Sequence, residues 1–279
     1  MVRSNCLCGA VQWDAEGDLQ FMSHCHCGRC RKAHGTAFSS AAAVAVKDLL
    51  LRGEENIERW RSPEGGVRCF CKQCGSATPA DPWNGLVFLP AGNFEDDPGT
   101  RPQFHIFVGS KAPWYEITDN LPRYDTYPQG VDAAVLPDSQ PLDPPGGIRG
   151  SCLCGGVGFV VDGELLRCHY CHCQRCRKAR SAAHAANLFT TADGVHFTRG
   201  AELLKSYKIP EAQFFTQVFC RTCGSKMPRI DKERGYGVIP LGALDDDPHF
   251  PVQAHIFVGS KAPWFEITGN VPQFAERVT

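Results

Sequence analysis

The sequence predicts a mostly-β protein built from two tandem copies of one small domain that binds metal. Three observations lead to this prediction: an internal repeat over most of the 279 residues, 16 cysteines at short spacings, and many turn-forming residues, with 20 prolines and 28 glycines. Each copy has about 125 residues, a size that suits one small core. Bound zinc would supplement such a core, because the free energy of metal binding adds to that of folding.

Four motifs occur twice, in the same order. The first two pairs are offset by 146 residues and the third pair by 149, so three residues were gained in a loop between them. The fourth motif, HIFVGSKAPW, is unchanged between the copies. The matched segments are 6–9 and 152–155, 25–32 and 171–178, 71–76 and 220–225, and 105–114 and 255–264. Self-similarity of this extent indicates a duplicated domain.

The two copies are joined by a stretch rich in proline and glycine. Five prolines and two adjacent glycines lie between Pro128 and Gly147, and proline favours an extended, semi-rigid connection. We therefore predict a first domain at 1–124, a linker at 125–148 and a second domain at 149–279. Because duplicated chains often preserve an ancestral two-fold contact, we expect the copies to pack as an intramolecular pseudo-dimer.

Local patterns favour short strands. Runs of β-branched or aromatic residues, bounded by turn-forming residues, indicate strands. They fall at 10–13, 85–89, 157–161, 203–207 and 214–219. Only the segments 29–34 and 175–180 have the character of helical turns.

Composition excludes several classes of protein. The net charge is −1 and no basic cluster stands out, which argues against a nucleic-acid surface. No stretch approaches the roughly 20 apolar residues of a membrane span. The N-terminus lacks the apolar core of a secretory signal, so we expect a cytoplasmic protein, in which closely spaced thiols are metal ligands rather than disulfides.

The cysteine count predicts two kinds of zinc site. Seven cysteines match between the copies, as a C-x-C, a C-x-C-x-x-C and a C-x-x-C. The two pairs together supply the four thiolates of a closed tetrahedral site, whereas the remaining motif supplies three. A zinc ion with three protein ligands has a fourth position for water or substrate, as catalytic zinc does.

The alternative is that a further residue closes the three-cysteine site. The unmatched Cys69 and Cys168 correspond to Val218 and Met22 in the other copy, so we expect buried small side chains there. The matched His26 and His172 are flanked by two ligands each, which orients a side chain away from the ion. A further matched pair, His105 and His255, is expected in the core or behind the metal ligands.

An open thiolate-bound zinc suits thiol chemistry. Such an ion ionises an incoming thiol and polarises a carbonyl, so the site can join a thiol to an aldehyde or cleave the adduct. The adjacent cations Arg31-Lys32 and Arg177-Lys178 have two interpretations: they offset the negative charge or hold a substrate carboxylate, or they are solvated surface cations.

The ordered motifs resemble one known family. C-x-C-G-x-V, C-H-C-x-x-C-R-K, F-C-x-x-C-G-S, D-D-P and H-I-F-V-x-S-K-x-x-W occur in this order in both copies. This pattern resembles the glutathione-dependent formaldehyde-activating enzymes, whose other branch is the centromere-protein-V-like proteins. The resemblance implies an Mss4-like fold and two zinc ions in each copy. The structural zinc is implied on Cys6, Cys8, Cys71 and Cys74 and on Cys152, Cys154, Cys220 and Cys223, and the catalytic zinc on Cys25, Cys27 and Cys30 and on Cys171, Cys173 and Cys176.

The resemblance also implies a reaction. Family members condense formaldehyde with glutathione to S-(hydroxymethyl)glutathione, a carbon–sulfur lyase activity, so the expected partners are a small thiol and a small aldehyde. The alternatives are the same chemistry on a different thiol or carbonyl compound, or a thiol carrier or binding module without turnover. The copies differ near the three-cysteine motif, where Arg180-Ser181 and His184 replace His34-Gly35 and Phe38. The two pockets therefore need not share a substrate, and one copy can be a scaffold only.

Overall fold

The computed structural model describes residues 1–138, 142 and 146–278. Copy one contains nine short strands and one seven-residue helix, with 3-10 turns between several of them. Its elements are β1 (Val2–Asn5), β2 (Gln12–Ala15), β3 (Phe21–Cys25), α1 (Gly28–His34), β4 (Ser39–Ala45), β5 (Leu49–Arg52), β6 (Ile57–Arg61), β7 (Val67–Cys71), β8 (Leu86–Pro90) and β9 (Phe104–Ile106).

Copy two repeats this order and has one additional strand, which follows the counterpart of β7. Its elements are β10 (Ile148–Ser151), β11 (Gly158–Val161), β12 (Leu165–Cys171), α2 (Gln174–Arg180), β13 (Ala185–Thr191), β14 (Val195–Arg199), β15 (Leu204–Lys208), β16 (Thr216–Cys220), β17 (Arg229–Asp231), β18 (Tyr236–Pro240) and β19 (Ala254–Ile256).

Each copy consists of small sheets, so the mostly-β prediction is confirmed. In copy one a three-stranded sheet has the order β1-β2-β5, a four-stranded sheet β8-β4-β3-β9, and β6 with β7 forms a hairpin. Copy two has the orders β10-β11-β14 and β17-β18-β13-β12-β19 and the hairpin β15-β16. In both larger sheets the last strand, β9 or β19, runs parallel to its neighbour. The strand next to it, β3 or β12, ends directly at the three-cysteine motif.

The five strands and two helices expected from local patterns are present, with bounds that shift by at most two residues. The largest shifts are at 10–13, where β2 spans Gln12–Ala15, and at 214–219, where β16 spans Thr216–Cys220. The strands that the sequence patterns missed include β3 and β4, which carry or adjoin the three-cysteine motif, with their counterparts. The segment 39–45 reads SSAAAVA, and serine and alanine have little intrinsic preference for strands. Its neighbours β3 and β8 pair with it on both sides, which determines its structure.

The copies pack against each other through reciprocal contacts. A Cβ added at Gly92 would lie 2.0 Å from the backbone nitrogen of Ala182, and one added at Gly242 would lie 2.3 Å from the backbone oxygen of Arg31. Glycine is needed at both places, because the turn after β8 or β18 touches the backbone at the helix of the other copy. Trp264 of copy two, only 2% exposed, is part of the core of copy one.

No helix in the described part of the chain has the length and apolar character of a membrane span.

Candidate metal centres

Two clusters of four cysteines lie one in each copy. Within each cluster all four sulfur atoms are within 4.8 Å of one another. The sulfurs of Cys6 and Cys8 are 3.5 Å apart, and those of Cys152 and Cys154 are 3.3 Å apart. The clusters are Cys6, Cys8, Cys71 and Cys74, and Cys152, Cys154, Cys220 and Cys223. The turn after β1 or β10 therefore meets the turn after β7 or β16, as the pairing of C-x-C with C-x-x-C requires.

Polar groups of the chain surround these sulfurs. The backbone N–H of Val11 points at the sulfur of Cys6 at 3.3 Å, and that of Val157 points at Cys152 at 3.1 Å. The hydroxyls of Ser76 and Ser225 lie 3.4 and 3.3 Å from the sulfurs of Cys74 and Cys223. N–H groups aimed at sulfur stabilise thiolates.

Two clusters of three cysteines lie where a central strand meets a helix. Cys25 ends β3, Cys27 caps α1 and Cys30 lies in its first turn; Cys171, Cys173 and Cys176 repeat the arrangement. All three sulfurs of each cluster are within 4.8 Å of one another. The distance between the first two sulfurs is 3.6 Å in both copies.

The donor sets fit zinc. With zinc–sulfur bonds of 2.3 Å, tetrahedral thiolates lie about 3.8 Å apart. The observed separations include 3.6 Å for Cys8 and Cys71 and 3.8 Å for Cys154 and Cys220, so little rearrangement is needed. All 16 cysteines are free thiols in the structure, and four clusters are positioned to hold a metal ion.

The unmatched cysteines do not join these clusters in the described residues. Cys69 and Cys168 are buried in β7 and β12. Burial raises the pKa of the Cys69 thiol, and it raises that of Cys168 to about 12. Both are neutral thiols that pack as small apolar groups.

The histidines between the ligands turn towards other histidines. His26 Nε2 lies 2.8 Å from Nδ1 of His105, and His172 Nε2 lies 2.9 Å from Nδ1 of His255. Burial, and then the neighbouring His105, lowers the pKa of His26 to about 3, so the pair is neutral. Each pair braces the strand–helix junction that carries the three cysteines.

This brace extends further in copy one. His105 Nε2 lies 3.0 Å from a carboxylate oxygen of Asp119, whereas the corresponding residue of copy two is Gly269. The carboxylate assigns the N–H of His105 to Nε2 and leaves Nδ1 to accept from His26. The two braces are therefore not equivalent.

The lysines after the third cysteine bind groups of the other copy rather than bulk solvent. Lys32 is buried, and its ammonium donates to the hydroxyl of Ser151 at 2.8 Å and to the carboxylate of Asp245, both in copy two. Lys178 donates to Asn5 and Glu95 of copy one. These cations connect the copies because the helices lie at the copy–copy contact, which the local sequence does not reveal. For the arginines beside them, burial lowers the pKa, and the charges of Cys27 and Cys30 oppose this shift at Arg31, as that of Cys173 does at Arg177.

Arg68, which the sequence patterns did not single out, and Arg180, which they marked only as a difference between the copies, approach the three-cysteine clusters. In copy one the guanidinium of Arg68 lies 3.6 Å from the sulfur of Cys30. In copy two the repeat has Gln217 at that position. There Arg180 is buried at the end of α2; burial lowers its pKa to about 10, while the charges of Cys176 and Cys171 oppose that shift. The two centres therefore differ in one neighbouring arginine, which lies on β7 in copy one and at the end of α2 in copy two.

The copy-two centre borders a group of cavities. Cys171 and Cys176 line a cavity of about 180 Å³. Four of its lining residues, His169, Phe189, Phe214 and Arg229, also line a neighbouring cavity of about 540 Å³. A separate cavity of about 640 Å³ reaches Cys173.

A larger cavity of about 810 Å³ lies between the copies. Four histidines and five other aromatic residues line it: His24, His105, His184 and His255, with Phe38, Trp114, Tyr115, Tyr170 and Phe265. None of the cysteines of the four clusters belongs to its lining. His105 and His255, which belong to the two histidine pairs described above, separate it from the cysteines.

Comparison with known proteins gives three similarities. A family model described as glutathione-dependent formaldehyde-activating enzyme matches residues 1–110 and 147–260. An uncharacterized lyase of Schizosaccharomyces pombe is 33% identical over 75 residues, which are 26% of this chain and 51% of that protein, so the chain spans about half the length of this curated relative. A crystal structure of a Rhodobacter sphaeroides protein is 28% identical and gives a TM-score of 0.28, covering 38% of this chain and 99% of that one.

The family match covers both copies, and together the two segments make up most of the chain. Each segment contains one four-cysteine and one three-cysteine cluster. The Mss4-like fold of the family agrees with the small packed sheets of each copy. The chain therefore belongs to the glutathione-dependent formaldehyde-activating enzyme family, with one family domain in each copy.

Proposed function

We propose that this protein is a zinc-dependent carbon–sulfur lyase that acts on thiol–aldehyde adducts, with glutathione and formaldehyde as its substrates. The observation that carries this proposal is the presence of three-cysteine clusters that lack a fourth ligand in the described residues. The family match and the lyase name of the yeast relative support the same class of reaction.

The metal assignment is part of the proposal. Zinc would be held at up to four sites, two in each copy. The four-cysteine clusters would be structural, and Cys25, Cys27 and Cys30, with Cys171, Cys173 and Cys176, would hold the ions of the reaction centres. When bound at an open site, zinc lowers the pKa of a ligating thiol and acts as a Lewis acid towards oxygen.

The residues of the chain supply positioning. The three sulfurs lie on a strand end and a helix start, so their spacing is rigid. The neutral pairs His26–His105 and His172–His255 hold this junction from behind. Arginine beside each cluster offsets the negative charge of three thiolates and of an incoming thiol. Holding the two reactants together requires no protein nucleophile.

Two further proposals concern the whole chain. The reciprocal contacts at Gly92 and Gly242 and the cross-copy bonds of Lys32 and Lys178 support an intramolecular pseudo-dimer. Zinc ligation by thiolates requires reduced cysteines, which favours the cytoplasm.

Elemental analysis and X-ray absorption test the proposal together. We expect up to four zinc ions per chain, and we expect glutathione to raise the average number of sulfur neighbours per zinc. The variant that combines Cys27→Ala with Cys173→Ala should lose this change. Wild-type protein should also form S-(hydroxymethyl)glutathione faster than the spontaneous reaction. Thiol binding without acceleration would overturn the lyase in favour of a carrier, and a content of two ions or fewer would remove the three-cysteine sites from the mechanism.

A further inference from the structure

We propose that the two centres have different roles: copy two alone binds the thiol substrate, and it does so through an arginine-lined cavity that takes the carboxylates of an anionic thiol. This inference rests on the proposed function, because it assigns that function to one of the two three-cysteine clusters.

The cavity beside the copy-two centre is cationic. Four arginines are among the residues that line the cavity of about 540 Å³, and no Asp or Glu is among those residues. The arginines are Arg167, Arg229, Arg234 and Arg277. Arg229 also lines the smaller cavity with Cys171 and Cys176. A ligand that spans the two spaces can present sulfur to the cysteines and carboxylates to the arginines.

Aromatic rings hold two of these guanidinium groups in place. Arg167 lies over the ring of Phe189, with 4.2 Å from Cζ to the ring centre, and Arg234 lies over Phe214 at 3.6 Å. Asp231 pairs with Arg229 and Arg234, each at 3.3 Å. One carboxylate for four guanidinium groups leaves positive charge for a ligand, and guanidinium binds carboxylate in a planar, two-bond geometry.

Copy one has none of these arginines. The repeat places Phe21, Ala80, Asn84 and Tyr127 at the four corresponding positions. The ring of Phe21 lies 6.1 Å from that of Phe88 and 5.8 Å from that of Phe104. An aromatic cluster therefore takes the place of the cationic wall, and none of these four residues carries a positive charge for a carboxylate.

The entrance to the copy-one centre is also covered. The end of the described linker lies over the start of α1: a Cβ added at Gly28 would meet the carboxylate of Asp138 at 2.8 Å. Arg29 is buried there and donates to Ser62 at 2.6 Å and to the backbone oxygen of Pro137. At the corresponding positions of α2, residues 174 and 175 are exposed.

Arg68 adds to this difference. Its guanidinium faces Cys30 at 3.6 Å, where copy two has the neutral Gln217. The charge of the copy-one cluster is therefore balanced by a group of its own copy that donates directly to a cluster sulfur. At the copy-two cluster, the surplus of cations lines the cavity through which the ligand enters.

Isothermal titration of the zinc-loaded full-length protein with S-methylglutathione tests the proposal. This probe keeps both carboxylates but has no thiol to bind metal, so it reports the arginine-lined cavity without turnover. We expect one site per chain. The double variant Arg229→Gln/Arg234→Gln should weaken binding at least about tenfold, since each hydrogen bond between charged groups contributes substantially to affinity. Arg167→Gln provides a second variant. Arg167 is exposed, and its substitution leaves the ion pairs of Asp231 with Arg229 and Arg234 intact.

The control is Arg101→Gln, an exposed arginine of copy one that pairs with Asp97 and should leave the affinity unchanged. Two equal sites per chain, or an affinity that Arg229, Arg234 and Arg167 do not influence, would overturn the inference even if the lyase activity is present. One arginine-dependent site in a protein that does not accelerate adduct formation would uphold the inference and refute the proposed reaction.

Discussion

The two three-cysteine clusters have the same spacing between their first two sulfurs, but the residues around them are mainly aromatic in copy one and cationic in copy two. In copy one the neighbouring arginine lies on β7 and the adjoining strands carry aromatic residues. In copy two it lies at the end of α2, and the corresponding wall is lined by arginines. The duplication has kept the cysteines that we propose as metal ligands, and has altered the charged and aromatic groups around them. The presence of a three-cysteine cluster therefore does not by itself show that the surrounding cavity binds a substrate.

The largest effect is expected from the four-cysteine clusters. Cys6→Ser and Cys223→Ser should each cost several kcal/mol and can prevent the affected copy from folding, because zinc binding and folding are coupled. Cys27→Ala and Cys173→Ala should cost much less, since a three-cysteine cluster is attached to strands that the sheet already holds. Chemical denaturation with zinc analysis measures both. Equal losses of unfolding free energy in the four-cysteine and three-cysteine variants would contradict the division into structural and reactive sites.

A smaller effect separates the two lysines at the copy–copy contact. The side chains of Lys32 and Asp245 are 6% and 3% exposed, whereas those of Lys178 and Glu95 are 12% and 26% exposed. Lys32→Ala leaves a buried carboxylate unpaired and should cost about 3–5 kcal/mol. Lys178→Ala leaves a carboxylate that water reaches and should cost about 1 kcal/mol or less.

Urea unfolding of the two lysine variants at one pH measures this difference. Asp245→Asn combined with Lys32→Met is the matched control, because it removes both charges and should restore part of the loss. If Lys178→Ala proved as damaging as Lys32→Ala, the contact would be more symmetric than the burial of these side chains indicates.

The histidine at the contact predicts a pH effect of about 2 kcal/mol. Burial, and then His255, lowers the pKa of His184 to about 3, whereas the unfolded chain titrates near 6.5. Between these values the unfolded chain binds the extra proton, so stability falls as the pH falls, by up to about 1.4 kcal/mol per unit. His184→Phe, which copies Phe38 of copy one, should reduce the loss between pH 6.5 and 5 by about 2 kcal/mol.

The reciprocal substitution Phe38→His serves as the control and should steepen the same loss. Unfolding midpoints at a series of pH values give both slopes. Parallel curves for wild type and His184→Phe would mean that the histidine is already protonated or accessible in the folded protein.

Much of this architecture follows from the sequence alone. The repeat predicted two copies of one mostly-β unit, and the cysteine spacings predicted which sulfurs would meet. Tight turns place cysteines two or three residues apart on one ion, so these short-range constraints need no knowledge of the fold. The two helices were predicted from the local character of the segments 29–34 and 175–180.

What escaped prediction depends on contacts between distant segments. Lys32 looked like a partner for the cysteines or for solvent, but its partners lie more than a hundred residues away in copy two. Arg68 and Arg229 carry no motif, and only the packing of distant elements brings Arg68 to Cys30 and Arg229 to the cavity beside Cys171 and Cys176. The strand β4 was missed because its neighbours, rather than its alanines, make it a strand.

The most direct test compares one cysteine variant in each copy. The rate of S-(hydroxymethyl)glutathione formation above the spontaneous rate should be measured for Cys27→Ala and Cys173→Ala, with zinc content and unfolding recorded for both. We expect Cys27→Ala to stay within about twofold of wild type, because the centres act independently. We expect Cys173→Ala to fall to the spontaneous rate while it remains folded. Equal losses in both variants, or loss in Cys27→Ala alone, would contradict the assignment of the reaction to copy two.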